Sequence, residues 1–157
     1  MTREQILDRM RKLCSRREYC ESDIIKKINA LCKGEANSVV TSEIISQLCR
    51  DKYIDQMRYA RAFVRDKSSL DGWGEIKIKY TLRKKGIDPD VIMTALDEID
   101  EEKAGKRLAA LITAKYKSLR GDEKEKEMKL YRFGIGRGYK YDEIKAIYDN
   151  IRTNKRD

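Results

Sequence analysis

Arg58, Arg61 and Arg65 recur at intervals of three and four residues, a spacing that puts three guanidinium groups on one side of a helix. Guanidinium stays charged and can clamp phosphate or carboxylate through two parallel N–H bonds, whereas lysine acts as a point charge. Other cations come in short groups. Arg16, Arg17, Lys26 and Lys27 surround one helix start, Lys77, Arg83, Lys84 and Lys85 lie along a later segment, and Arg132 and Arg137 flank an aromatic residue in the most basic stretch, 102–157. With 36 Lys and Arg against 27 Asp and Glu, the net charge is +9. Such an excess suits an anionic partner: nucleic acid, an acidic protein surface or a membrane face. The same side chains also have plain structural uses. Lys84 and Lys85 equally suit the negative end of a helix dipole, and Arg58 equally suits an ion pair with Asp55.

Bond-making chemistry has little to work with here. The 157 residues contain no histidine, which removes the commonest general base and metal ligand. No G-x-x-x-x-G-K-[ST] cradle and no G-x-S-x-G elbow occurs. Gly134-Ile135-Gly136-Arg137-Gly138 follows a helical pattern instead of a strand, which argues against a dinucleotide loop. Asp97-Glu98 and Asp100-Glu101-Glu102 read as solvated helix-end charge ahead of magnesium ligands. Cys14, Cys20, Cys32 and Cys49 lack C-x-x-C spacing, and a mixed cysteine–histidine zinc site is excluded. Cys32 and Cys49 each follow a leucine at the end of an apolar stripe, the pattern of buried thiols in a reducing compartment. Trp73 between Gly72 and Gly74 has the face to stack on a base, but a tryptophan opening a helix more readily anchors packing. The expectation is a binding protein without catalytic residues, cofactor or metal.

The elements that carry these cations read as helices throughout. One proline and nine glycines leave long unpunctuated stretches, and 40% of the residues are charged, well above the usual quarter. Apolar residues recur at three and four in Ile6, Leu7, Met10, Leu13 and Cys14, in Tyr59, Ala60, Phe63 and Val64, and in Leu108, Leu111 and Ile112; the middle helices carry Ile24, Ile25, Ile28 and Leu31, then Ile78 and Leu82, then Met128, Leu130 and Phe133. Each set marks one buried helical face.

A longer period underlies them. Lys33-Gly34, Lys85-Gly86 and Arg137-Gly138 place three glycines 52 residues apart, each after a helical pattern where a left-handed residue would end the helix. A second helix follows each: Thr41-Ser42-Glu43 leads into Ile44, Ile45, Leu48 and Cys49. Asp88 and Pro89 lead into Val91, Ile92, Ala95, Leu96 and Ile99, and Tyr139 precedes Ile144, Ile147, Tyr148 and Ile151. Asp88 suits an N-cap and Pro89 the first helical position. The chain therefore reads as all-α, three tandem three-helix repeats over 1–54, 55–101 and 102–152, with a charged tail at 153–157. Such a row should be elongated, curved and solenoid-like. The charged start, Met1-Thr2-Arg3-Glu4, is unlike a signal peptide and no apolar run reaches membrane-spanning length. A cytoplasmic monomer with no membrane partner is expected.

These residues resemble the RecX family of bacterial regulators of the RecA recombinase. The likeness runs through Arg16-Arg17-Glu18-Tyr19-Cys20-Glu21-Ser22-Asp23-Ile24, where the family usually has serine in place of Cys20. It continues through Tyr53-Ile54-Asp55-Gln56-Met57-Arg58-Tyr59-Ala60 with Phe63-Val64, then Gly74, Ile78, Leu82 and Lys85-Gly86-Ile87, and ends with Arg132-Phe133 and Arg137-Gly138-Tyr139. The resemblance implies a tandem three-helix fold and a protein that lodges in the groove of a recombinase–single-stranded DNA filament, damps its ATPase and strand exchange, and promotes its disassembly. One departure stands out. The family usually has bulky residues between Phe133 and Arg137, whereas this chain has Gly134 and Gly136, and each interior glycine costs a helix about 1 kcal/mol relative to alanine. An early or frayed helix end, or a close backbone contact, is expected there. Two other readings stay open: a stand-alone basic DNA-binding protein built on a recognition helix, and a nuclease, for which no catalytic constellation is apparent.

Overall fold

The computed structural model describes residues 1–156, and every regular element among them is helical. In order these are α1 (Arg3–Arg16), α2 (Glu21–Leu31), α3 (Ser38–Arg50), α4 (Gln56–Ser69), α5 (Glu75–Lys84), α6 (Pro89–Ala95) with a 3-10 turn at Leu96–Glu98, α7 (Glu101–Ser118), α8 (Glu123–Gly136) and α9 (Tyr141–Arg156). No helix among the described residues is long and apolar enough to cross a membrane.

Short polar side chains set where these helices begin. Thr2 accepts from the Gln5 N–H at 3.2 Å while the Gln5 side chain accepts from the Thr2 N–H at 2.9 Å, a reciprocal capping box. Asp55, Asp100 and Asp122 accept from the N–H groups of Arg58, Lys103 and Glu125 at 2.9, 3.1 and 2.9 Å. Asn37 takes the N–H groups of Val39 and Val40, so α3 starts a turn earlier than Thr41-Ser42-Glu43 suggests, and Thr41 is buried inside the helix. Helix α6 begins at Pro89, as its fixed φ favours.

The three repeated glycines have φ of +81, +83 and +98° at Gly34, Gly86 and Gly138, the left-handed conformation their spacing predicts. After the latter two, the N–H of Ile87 returns to the Leu82 carbonyl and that of Tyr139 to the Gly134 carbonyl, both at 3.1 Å, closing the helix end. In the first repeat Lys33 also turns left-handed, at +54°, and Gly34 donates to the Asn29 carbonyl at 2.9 Å.

Two compact units divide the chain. The first comprises Met1–Phe63 and Leu82–Ala95. Its core contains Ile6, Leu7, Met10, Ile24, Ile28, Ile44 and Leu48, with Leu13, Leu31 and three cysteines packed against it. Burial of each Leu or Ile contributes about 1.5–3 kcal/mol. Ile25, an expected core residue, is 38% exposed.

The second unit comprises Val64–Thr81 and the chain from Leu96 onward. Leu108, Ile112, Tyr116, Leu130, Tyr139, Ile144 and Tyr148 form a core shared by α7, α8 and α9. Helix α8 keeps its form through Gly136, so the expected early end does not occur. The close contact does: a Cβ on Gly134 would sit 2.5 Å from Ile144 Cδ1. Met128 is 59% exposed, unlike Leu130. Thr153–Arg156 of the expected tail continue α9; Asp157 lies outside the described residues.

Candidate partner-binding surface

In the first unit most of the sequence-predicted cations are exposed, Arg58 among them. Arg16, Arg17, Lys26, Lys27, Arg61, Arg83 and Lys84 are exposed. The Arg17 guanidinium lies 4.7 Å from the Tyr19 ring centre, and Arg16 and Lys27 line one groove between α1 and α2. Arg58 and Lys85 are held by partners within the unit. Arg58 Nε donates to Glu18 at 2.5 Å, and its Nη2 reaches the Lys52 and Tyr53 carbonyls at 3.0 and 3.3 Å. Its ion-pair partner is Glu18, not Asp55, whose carboxylate accepts the Arg58 backbone N–H.

Lys85 Nζ donates to Asp23 at 2.9 Å, and Ser22 Oγ donates to the Lys85 carbonyl at 3.0 Å. Burial alone would raise the Asp23 carboxyl, but hydrogen bonds from Lys85 and Cys20 outweigh it and hold the group below the usual carboxylate range. Cys14 is pushed up to about 11 by burial and then by Glu18, and Cys49 to about 11 by burial and then by its hydrogen bond to Glu21. Both thiols are thus protonated at neutral pH and pack as small apolar groups.

In the second unit Arg132 is exposed, and Arg65 reaches Glu98 at 3.5 Å. Lys77 and Lys67 place their ammonium groups 4.2 and 4.7 Å from the ring centre of half-buried Trp73. That favours the packing role for the tryptophan, with cations stacked on its face. Arg137 turns inward: its Nη2 donates to the Asp71 carbonyl at 2.5 Å and its guanidinium sits 5.6 Å from the Phe133 ring.

The neighbours of Arg137 complete a backbone clasp. Gly74 N–H donates to the Arg137 carbonyl at 2.7 Å, Ile76 N–H to the Gly138 carbonyl at 3.1 Å, and Tyr139 Oη to the Gly72 carbonyl at 2.8 Å. Arg107 adds a hydrogen bond to the Ser68 carbonyl. Arg137, in the family-like Arg137-Gly138-Tyr139, therefore belongs to the scaffold of this unit.

The residues that sequence reasoning passed over are Arg9 and Lys12, which line the same groove as Arg16. Their spacing of three and four ahead of Arg16 was the available signal.

The comparisons with known proteins fit this arrangement. The model of the second three-helix domain of RecX matches residues 55–96. Regulatory protein RecX of Clostridium botulinum (strain Eklund 17B / Type B) is 35% identical over 139 residues, covering 87% of this chain and 63% of that protein. The chain is similar to the RecX family over most of its length. Regulatory protein RecX of Bacillus cereus (strain AH820) is 30% identical over 128 residues, 81% of this chain and 47% of its own. A crystal structure of regulatory protein RecX superposes with a TM-score of 0.82 at 25% identity, covering 94% of this chain and 73% of that one. RecX from Lactobacillus salivarius shares the fold, with a TM-score of 0.75 and 20% identity over 96% and 97% of the two chains. The chain spans about three-fifths of the length of this clostridial relative. The RecX signature and the clasp overlap at Gly74, which lies inside the matched segment.

Proposed function

We propose that this chain is a non-catalytic regulator that binds a RecA-type recombinase filament on single-stranded DNA along its groove and slows its ATP hydrolysis and strand exchange. The observation that carries the reading is the match of residues 55–96 to the second three-helix domain of RecX. Exposed cations in both compact units support it: Arg16, Arg17, Lys26, Lys27, Arg61, Arg83 and Lys84 in the first, Arg65 and Arg132 in the second. These are the residues offered for contacts with recombinase or DNA. Arg58, Lys77, Lys85 and Arg137 act through the scaffold they brace.

Co-sedimentation with recombinase filaments assembled on single-stranded DNA tests the reading. The chain should pellet with the filament and remain in the supernatant with recombinase alone. Failure to pellet at saturating filament overturns it.

The net charge of +9 also favours a second reading, a stand-alone DNA binder. Affinity for DNA without recombinase, measured across a salt series, separates the two: tight binding with a steep salt slope is the mark of phosphate contacts made directly.

A further inference from the structure

The groove between α1 and α2 in the first unit, about 460 Å³ in volume, carries charge of one sign only. Arg9, Lys12 and Arg16 follow one another along α1, and Lys27 joins them from α2. All four are exposed, and among the described residues none of their side chains makes a hydrogen bond or ion pair. No carboxylate and no aromatic ring lines the groove. Its floor is aliphatic, with Leu13 and Leu31 only partly covered by the core behind them.

Clustered like charges repel, and the repulsion is relieved when an anionic partner arrives. An aliphatic floor gains only from an apolar ligand. A ligand satisfying both must present carboxylates and apolar side chains together at helical spacing, which is the helix-in-groove mode of recognition. Nucleic acid satisfies the cations alone: bases find no ring to stack on, and that stacking is what holds single strands in a basic channel.

We infer that this groove docks an acidic amphipathic helix of a protein partner, its carboxylates on Arg9, Lys12, Arg16 and Lys27 and its apolar side chains on the floor. The inference rests on the reading above that the chain's partner is a protein filament, but its test is separate.

The test uses fluorescence anisotropy on the full chain with three probes: a Glu- and Leu-containing peptide with leucines at helical spacing, a permuted peptide of the same composition, and a short oligothymidylate. The ordered peptide should bind more tightly than the permuted one. Lys12→Glu/Arg16→Glu should weaken it by about tenfold or more, as reversal of paired interface charges does, while Lys124→Glu, at an exposed position of the second unit, leaves it unchanged. Arg9→Ala/Lys27→Ala should weaken it in the same direction without introducing new charge, and circular dichroism checks that each variant is folded. Equal binding of the two peptides, an equal loss in Lys124→Glu, or oligothymidylate occupying the groove in place of peptide overturns the inference. A chain that slows recombinase ATP hydrolysis but ignores the ordered peptide sinks the groove and spares the filament reading. A chain that binds the peptide as described but leaves hydrolysis untouched does the reverse.

Discussion

Gly74 and Gly138 meet backbone to backbone: a Cβ on Gly138 would lie 2.9 Å from the Gly74 carbonyl oxygen, and one on Gly74 would lie 2.8 Å from the Tyr139 nitrogen. The contact joins the turn before α5 to the turn between α8 and α9, and it leaves no room for any side chain. Gly74→Ala should therefore cost more than 2 kcal/mol, because backbone and not a flexible side chain must give way. Gly105 offers the control, since it lies in α7 with open space around its Cβ position. Gly105→Ala should stabilise by about 0.5–1 kcal/mol. Urea unfolding of the two variants measures both, and shifts of the same sign contradict the clasp.

Gly134 and Gly136 should part company in the same assay. A Cβ at Gly134 meets Ile144, which is fully buried, while one at Gly136 meets nothing within 4 Å. Gly134→Ala is expected to destabilise by about 1–3 kcal/mol through overpacking. Gly136→Ala is expected to be neutral or mildly stabilising. Equal effects would show that the approach of α9 to α8 does not depend on the missing side chain.

Arg58 and Lys26 separate scaffold from surface. Removing the Arg58 side chain strips Glu18 of its partner and leaves two carbonyls without their donor, so Arg58→Ala should lower stability by about 1–2 kcal/mol. Lys26 is exposed, and Lys26→Ala should stay within about 0.5 kcal/mol of the parent. Thermal unfolding of both, set beside their filament binding, tells a binding loss from a folding loss.

Acid should loosen the second unit through Glu123. Its carboxylate accepts from Tyr116 at 2.6 Å and Tyr148 at 3.2 Å and pairs with Arg152 at 2.7 Å. The Tyr116 hydrogen bond, followed by those of Tyr148 and Arg152, holds it down at about 2 against burial. The folded value lies below the ordinary 4.5, so the folded state binds fewer protons than the unfolded state between them. The stability it contributes is complete above about pH 4.5 and is lost as pH falls toward 2. The site is open to solvent, which keeps the effect modest. Glu123→Gln should flatten that part of a pH–stability profile, and an unchanged profile would remove the carboxylate from the account.

Much of the fold was legible because it repeats. The spacing of Gly34, Gly86 and Gly138 located three left-handed turns, and the three-four stripes located Leu7, Ile24, Ile44, Ile78 and Ile112 in the interior. What stayed hidden depends on contacts far apart in sequence. Nothing local to Glu123 reveals that two tyrosines and an arginine converge on it, and nothing local to Gly74 names Gly138. Ile25 fits the apolar period yet faces solvent, since periodicity marks a face but not its edge, and Met128, two residues from Leu130 and off that period, is exposed as well.

The candidate site was less legible than the fold. Charge and spacing pointed to Arg58, Lys85 and Arg137 no less than to Lys26 and Arg132, because a cation bound to a carboxylate and one facing solvent look alike in sequence. Only the positions of Glu18, Asp23 and the Asp71 carbonyl separate them. Arg9 and Lys12 carried the right spacing but lay outside the family-like segments.

The most direct measurement is a titration of this chain into a RecA-type recombinase turning over ATP on single-stranded DNA. The account predicts that hydrolysis falls progressively and saturates once the filament is covered, with Lys26→Ala/Lys27→Ala requiring more protein to reach the same level. Hydrolysis that holds its full rate at saturating protein would contradict it.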